Sequence, residues 1–260
     1  MPNHCQHIVI TGASNGIGAA LAESYAAPGK VLGLIGRNRE RLEQVAHRCR
    51  NQGAQVHLGQ FDISDPAYLN PWLKDFEHRY PIDLLIANAG VTHSIGPDHA
   101  PEPLEAVCRL LEINLMATIR TVDPVLHAMR QRGHGQIALT SSLAAFYGMP
   151  VTPAYCASKA ALRAWGEALR GQFAPEGIRI NLICPGFVES DMSARFPGAK
   201  PFMISPKQAA HRIRRGLERN RAHITFPLLL SLGMRLLPML PFPLASFFLG
   251  LSGYNRARLP

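Results

Sequence analysis

Short runs of apolar residues alternate with longer segments of helical periodicity along most of the chain. Each run is apolar throughout rather than alternating, and the runs span 7–11, 31–36, 56–61, 83–88, 136–141 and 178–184. This pattern is typical of parallel strands that are covered on both faces. Between them, the spacing of apolar positions predicts helices over 17–26, 39–51, 66–79, 104–131, 154–173 and 207–220.

The order of these elements predicts the fold class. Strand–helix alternation of this length indicates an α/β protein, and we expect a single doubly wound, Rossmann-like domain over residues 1–226. Its parallel sheet should have about seven strands, the last over 222–226, with helices on both faces. Residues 227–260 form an apolar C-terminal extension, in which we expect two short helices because prolines interrupt the apolar stretch at Pro238, Pro241 and Pro243.

Charge is distributed unevenly along the 260 residues. The net charge of +9 comes almost wholly from residues 201–260, which hold nine basic side chains and one acidic side chain. A nucleic-acid-binding protein that is basic over its whole surface is therefore not expected. Five scattered cysteines without a C-x-x-C pair favour a reducing compartment. With no signal-peptide pattern at the N-terminus, we expect a cytoplasmic location.

The histidines do not form a metal-binding pattern. There is no H-E-x-x-H sequence, and neither His93 and His99 nor His127 and His134 share a helical face. We therefore expect no metal site.

A glycine-rich segment, Thr11-Gly12-Ala13-Ser14-Asn15-Gly16-Ile17-Gly18, lies between the first strand and the first helix. Glycines allow the backbone to approach a pyrophosphate, and the free N–H groups at a helix start attract anions. The segment predicts a dinucleotide site, the alternative being an ordinary strand-to-helix turn.

The end of the second strand bears on the choice of cofactor. An NAD site usually has an acidic residue there for the ribose 2′-hydroxyl, whereas this chain has Arg37-Asn38. Arg37 could pair with a 2′-phosphate through its planar guanidinium, with Ser14 or Asn15 assisting. We predict NADP(H) over NAD(H). The alternative is that Arg37 is simply solvated at the helix start.

Tyr155 and Lys159 are four residues apart in a predicted helix and so share one face. A cation about 5 Å away would favour the phenolate by about 3 kcal/mol, or about two pKa units. We therefore expect Lys159 to depress the pKa of Tyr155 and make it a proton donor and acceptor. Alone, such a pair is more often a surface contact.

Together, these features resemble the short-chain dehydrogenase/reductase family. The resemblance covers about residues 7–220 and rests on Thr11–Gly18, Asn88-Ala89-Gly90, Ser142 thirteen residues before Tyr155, and Pro185-Gly186. It implies a catalytic set of Asn114, Ser142, Tyr155 and Lys159. It also implies a cofactor site formed by Gly12, Ser14, Asn15, Gly16, Ile17, Gly18, Arg37, Asp62, Ile63, Asn88, Ala89, Gly90, Tyr155, Lys159, Pro185, Gly186, Val188 and Ser190.

The resemblance also implies a role for each catalytic residue. Ser142 would orient the substrate carbonyl, Tyr155 would protonate the developing alkoxide, and Lys159 would hold the ribose hydroxyls. Asn114 would bind a water that links Lys159 to solvent, or it is a satisfied buried amide. Ser141 and Ser142 point to opposite faces of a strand, so only one can serve, and the family spacing selects Ser142.

The segment 189–205 resembles the substrate loop of the family. Met192, Phe196, Phe202 and Met203 would form an apolar wall there, which favours a hydrophobic ketone or aldehyde.

The extension beyond residue 226 departs from the family. Arg212, Arg215 and Arg219 share one helical face, and Arg235 and Arg256 bracket the apolar tail. We expect peripheral contact with an anionic membrane at its inner face. The alternatives are that the two short helices cover the mouth of the substrate site, that they pack on the protein's own core, or that they form a homodimer interface.

The sequence therefore predicts an NADPH-dependent oxidoreductase of an apolar carbonyl substrate. One alternative is a soluble reductase of small polar carbonyls that uses its tail for oligomerisation. The other is a non-catalytic regulator that senses NADPH.

Overall fold

Within the part of the chain that the structure describes, seven strands lie parallel in one sheet, in the order β3-β2-β1-β4-β5-β6-β7. This computed structural model describes residues 5–95, 100–196 and 199–251. The strands are β1 (His7–Thr11), β2 (Val31–Ile35), β3 (Gln55–Gly59), β4 (Leu84–Ala87), β5 (Gly135–Thr140), β6 (Ile178–Pro185) and β7 (His223–Phe226). The predicted α/β class and seven-stranded parallel sheet are confirmed.

Ten α-helices are present in the described ranges. They are α1 (Gly16–Tyr25), α2 (Arg39–Asn51), α3 (Pro66–Arg79), α4 (Leu104–Leu111), α5 (Ala117–Arg132), α6 (Pro153–Phe173), α7 (Asp191–Ala194), α8 (Pro206–Glu218), α9 (Leu228–Leu236) and α10 (Phe242–Leu251). Several begin where the sequence carries a cap: the Asp65 side chain accepts from Ala67 N, and Ser205 forms a capping box with Gln208.

Some predictions fall outside the described residues. His99, Arg256 and Arg258 lie there, as do residues 197–198 of the predicted substrate loop and residues 252–260 of the extension. In the ranges that are described, no helix combines the length and the apolar character needed to cross a membrane.

The prediction of one helix over 104–131 is wrong in one respect. A π-helical turn over Glu112–Met116 separates α4 from α5. It places the Asn114 side chain against the backbone of Val91 and the hydroxyl of Ser158. Hydrophobic periodicity cannot reveal such a turn, because it shifts the pattern by only part of a turn.

Each face of the sheet is covered by its own apolar cluster. On one face, Leu69 of α3, Val122 of α5 and Leu162 of α6 belong to the first cluster. On the other face, Leu21 of α1, Leu42 of α2 and Ile213 of α8 belong to the second. Burial on both faces explains why the strands are apolar throughout.

The helices of the extension pack on the body with one face and leave the other exposed. Their inner side chains join the first cluster, and these are Met234, Leu237, Ala245 and Leu249. Their exposed large apolar side chains are Leu228, Leu229, Leu232, Leu236, Met239, Phe242, Leu244, Phe247 and Phe248. The extension is thus part of the core on one side and an apolar surface on the other.

Candidate active site

A cavity of about 540 Å³ opens at the carboxyl ends of the central strands. The sheet order reverses between β1 and β4, and ligands of doubly wound proteins bind at such a switch point. Of the predicted catalytic and cofactor residues, all but Gly18 and Asn114 line this cavity. The fold therefore brings together residues from positions 12 to 190 of the chain.

The glycine-rich segment packs closely against the end of β4. Gly12 has φ +67°, and a Cβ there would lie 2.8 Å from Ala89 Cα. A Cβ on Gly18 would lie 2.2 Å from the Gly12 carbonyl oxygen. Gly18 thus does not line the cavity, but its missing side chain allows the tight loop. The Asn15 side chain accepts from Gly16 N at 2.7 Å and caps α1. A loop of this shape is a cradle that fits a pyrophosphate.

Two arginines line the end of the cavity that follows β2, one turn apart on either side of the start of α2. Arg37 donates to Asp62 Oδ2 at 3.3 Å, and Arg41 donates to Asp191 Oδ2 at 2.6 Å. Ser14 lies beside them, since a Cβ on Gly36 would be 3.3 Å from Ser14 Oγ. The sequence analysis did not identify Arg41. Its position four residues after Arg37 was a signal that a second cation could line the same part of the cavity.

Tyr155 and Lys159 lie on one face of α6 at the floor of the cavity. Lys159 is only 3% exposed, and its Nζ is 5.8 Å from the centroid of the Tyr155 ring. The ammonium donates to the Thr140 carbonyl oxygen at 2.8 Å. The predicted i, i+4 pair therefore joins a buried lysine to a half-buried tyrosine that lines the cavity, and it is not a surface contact.

The two candidate serines have different partners. The Ser142 hydroxyl accepts from Ala144 N at 3.1 Å, and its interaction with the Tyr155 phenol lowers the pKa of Tyr155. The Ser141 hydroxyl donates instead to the backbone carbonyl of Lys159 at 2.8 Å. Of the two, Ser142 is the one placed to meet a substrate beside Tyr155.

Asn114 lies behind the cavity and is fully buried. Its Oδ1 accepts from Val91 N at 2.8 Å, and its Nδ2 donates to Val91 O at 2.9 Å and to Ser158 Oγ at 3.1 Å. The side chain is thus the satisfied buried amide that the sequence left as an alternative. It ties α6, which carries Tyr155 and Lys159, to the segment after β4. A water-holding role for Asn114 stays a prediction.

The expected depression of the Tyr155 pKa is wrong for this structure. Burial raises the pKa of Tyr155 to about 12, against a smaller lowering effect from its hydrogen bond with Ser142. Burial also lowers the pKa of Lys159 to about 8. As the pH rises, Lys159 therefore loses its proton before Tyr155 ionises, so the attractive charge pair does not form at equilibrium. At neutral pH Tyr155 is a phenol and Lys159 an ammonium.

The far end of the cavity is apolar. Its walls include Leu143, Met149, Phe187, Met192, Phe196, Leu230 and Met234. Two of the four residues predicted for the substrate wall are misplaced, because Phe202 and Met203 are 56% and 45% exposed and do not line the cavity. In their place, α9 of the C-terminal extension supplies Leu230 and Met234, which sequence reasoning did not assign to the site.

Comparison with known proteins identifies the family. The chain matches the short chain dehydrogenase family over residues 6–200. An uncharacterized oxidoreductase of Mycobacterium tuberculosis is 34% identical over 194 residues, which cover 73% of this chain and 76% of that protein. A protein of Nostoc named ketoacyl reductase HetN is 28% identical and covers 84% of this chain and 77% of its own length.

One solved structure is similar over nearly the full length. The short-chain dehydrogenase from Sphingobium yanoikuyae in complex with NADPH is 26% identical, with a TM-score of 0.79, and the match covers 98% of each chain. Three observations point to the same family. They are the glycine-rich loop, the Tyr155–Lys159 pair in the cavity and the family match over three quarters of the chain. The chain therefore belongs to the short-chain dehydrogenase/reductase family of NAD(P)-dependent oxidoreductases.

Proposed function

We propose that this protein is an NADPH-dependent reductase of apolar ketones or aldehydes, in which Tyr155 is the proton donor. The observation that supports this most is that Tyr155 and Ser142 line one cavity that continues to the glycine-rich loop. The same protein would oxidise the corresponding alcohol in the reverse direction.

The residues of the chain would divide the chemistry among them. The nicotinamide cofactor, when bound, supplies the hydride for the carbonyl carbon. Ser142 donates a hydrogen bond that orients the carbonyl oxygen. The Tyr155 phenol gives its proton to that oxygen as negative charge develops on it, and the O–H bond of the alcohol forms. The Lys159 ammonium and the Ser142 hydroxyl stabilise the phenolate that remains.

A Tyr155→Phe variant tests this role. Only the phenolic hydroxyl is removed and the ring is kept, so we expect kcat for carbonyl reduction to fall by about 10²-fold or more, while the dissociation constant for NADPH changes little. The matched control is Tyr68→Phe, because Tyr68 is exposed on α3 and does not itself line the cavity. Turnover near the wild-type value in Tyr155→Phe would remove Tyr155 from the mechanism.

The preference for NADPH over NADH is part of the proposal. Arg37, Arg41 and the Ser14 hydroxyl line the end of the cavity that follows β2, and their chemistry suits a phosphate dianion. An acid that would accept from a free 2′-hydroxyl does not follow β2 directly, since the residues there are Gly36, Arg37 and Asn38.

The cofactor preference is tested by the Michaelis constants for the two dinucleotides. We expect a lower KM for NADPH than for NADH, and Arg37→Ala should raise the KM for NADPH about tenfold, the loss of one charge-assisted hydrogen bond. Arg39→Ala is the matched control, because Arg39 is exposed two residues away, at the start of α2, and does not line the cavity. A wild-type preference for NADH would exclude the assignment.

The substrate class rests on the apolar far end of the cavity. Phe187, Met192 and Phe196 line it together with Leu230 and Met234 of the extension. We expect long-chain ketones and aldehydes to be reduced with higher kcat/KM than small diketones in a panel monitored by NADPH consumption. Preference for small polar carbonyls would favour the alternative reductase, and binding without turnover would favour the regulator.

We further propose that residues 1–226 act as the cofactor and catalytic domain and that residues 227–260 bring this cytoplasmic enzyme to the inner face of an anionic membrane. The exposed apolar face of α9 and α10 would enter the lipid interface. Arg235, which is exposed on α9, would attract anionic headgroups, whereas Arg212 and Arg215 lie on α8, which packs in the other apolar cluster.

Sedimentation with vesicles tests the membrane contact. We expect more protein to pellet with phosphatidylglycerol vesicles than with phosphatidylcholine vesicles, and less with Phe247→Ser than with the wild type. Tyr68→Ser serves as the control, since it removes a similarly exposed aromatic ring from α3. Absence of pelleting at low salt, with a dimer in analytical ultracentrifugation, would favour the homodimer interface instead.

A further inference from the structure

Asp191, the first residue of α7, reaches across the cavity to two cofactor-binding elements. Its Oδ2 accepts from Arg41 of α2 at 2.6 Å and from Asn15 Nδ2 of the glycine-rich loop at 3.0 Å. These partners are 150 and 176 residues away in the sequence. The contact therefore joins the segment that carries Met192 and Phe196 to the opposite wall of the cavity.

The contact is not needed to cap the helix on which Asp191 lies. Ser190 and Ser193 already form a reciprocal capping box at the start of α7. The hydrogen bond and the charge of Arg41 hold the pKa of Asp191 below its usual range, so the side chain is a carboxylate at neutral pH. Asp191 thus presents an anion to an arginine that lines the end of the cavity that follows β2.

We propose that Asp191 competes with the 2′-phosphate of the cofactor for Arg41, so that a 2′-phosphorylated nucleotide releases the Met192–Phe196 segment from α2. This inference rests on the proposed preference for NADPH. A phosphate dianion offers more charge and more acceptor oxygens to a guanidinium than one carboxylate does. A nucleotide without the phosphate leaves the Arg41–Asp191 pair in place and the segment attached.

The neighbouring ion pair shows why Asp191 is distinctive. Arg37 is paired with Asp62, which follows β3 on the same wall of the cavity. If a phosphate replaced Asp62 as the partner of Arg37, the wall that carries Met192 and Phe196 would therefore stay unchanged. Replacement of Asp191 by a phosphate at Arg41 would instead detach the segment that carries Met192 and Phe196 from α2. The Asp191 carboxylate thus couples the choice of cofactor to the shape of the apolar end of the cavity.

Calorimetric titration with adenosine 2′,5′-bisphosphate and with adenosine 5′-monophosphate tests the competition. An exposed ion pair of this kind is a modest competitor, so Asp191→Asn should bind the bisphosphate about two- to fivefold more tightly than the wild type. Its affinity for the monophosphate should not change. Glu189→Gln is the matched control, because it removes the same charge from an exposed position two residues away.

Trypsin provides a second readout that does not depend on turnover. Arg195 is exposed in the released segment, whereas Lys200 precedes proline and resists cleavage. Cleavage after Arg195 should be faster in Asp191→Asn than in the wild type, and the bisphosphate should accelerate it in the wild type only.

Three outcomes separate the hypotheses. Unchanged or weaker binding of the bisphosphate by Asp191→Asn overturns the competition. A persistent effect of Asp191→Asn in the Arg41→Ala background also overturns it, because the effect must act through Arg41. If the wild type does not distinguish bisphosphate from monophosphate, the proposed NADPH preference fails, and this inference fails with it.

Discussion

Carbonyl reduction by this protein should slow as the pH rises through about 8, because Lys159 then loses its proton. When Tyr155 donates its proton, negative charge forms on its oxygen, and the Lys159 ammonium lies 5.8 Å from the ring centroid. At an effective dielectric constant of about 20, a unit charge at this distance stabilises the phenolate by about 3 kcal/mol. Loss of that charge corresponds to about a hundredfold in rate.

The pH range follows from the direction of the Lys159 shift. Burial lowers the pKa of Lys159 to about 8, so the ammonium is present below that pH and lost above it. At pH 9 only about one molecule in ten carries the charge, so kcat there should be about a tenth of its value at pH 7. The pKa of Tyr155, raised by burial to about 12, lies above this range and contributes no fall of its own.

The assay is kcat for reduction of the best carbonyl from the substrate panel, at saturating NADPH, from pH 6 to pH 10. A Lys159→Met variant is the control, because it keeps the apolar stem and removes the charge. It should be about a hundredfold slower at pH 7 and show no inflection near pH 8. A flat wild-type profile through pH 8, or the same inflection in Lys159→Met, would refute the argument.

Two further predictions concern the loop and the core. Gly18→Ala places a Cβ 2.2 Å from the Gly12 carbonyl oxygen, so the loop must shift, and the calorimetric dissociation constant for NADPH should rise about fivefold or more. Gly171→Ala, which has open space around it, should bind NADPH as the wild type does. Phe76→Ala removes a ring that is 1% exposed and stacks on Trp72 at 5.3 Å. It should lower the free energy of unfolding in urea by about 3–5 kcal/mol, and a loss below 1 kcal/mol would contradict the packing.

The sequence by itself determined the elements and the local parts of the site. Buried parallel strands, helix caps at Asp65 and Ser205, the glycine-rich turn and the Tyr155–Lys159 spacing all depend on neighbours within a few residues. Periodicity and local hydrogen bonding act over that range, so the pattern of residues carries them. The structure reproduces most predicted boundaries within a residue or two.

Only the tertiary structure decided which distant residues meet and how deeply they are buried. The Arg41–Asp191 contact, the entry of Leu230 and Met234 into the cavity and the π-helical turn at Asn114 each depend on where remote segments pack. The same holds for the pKa of Tyr155, which spacing alone predicted in the wrong direction. Spacing determines the distance between two charges, but desolvation depends on everything packed around them, and here burial raises the pKa of Tyr155 and lowers the pKa of Lys159.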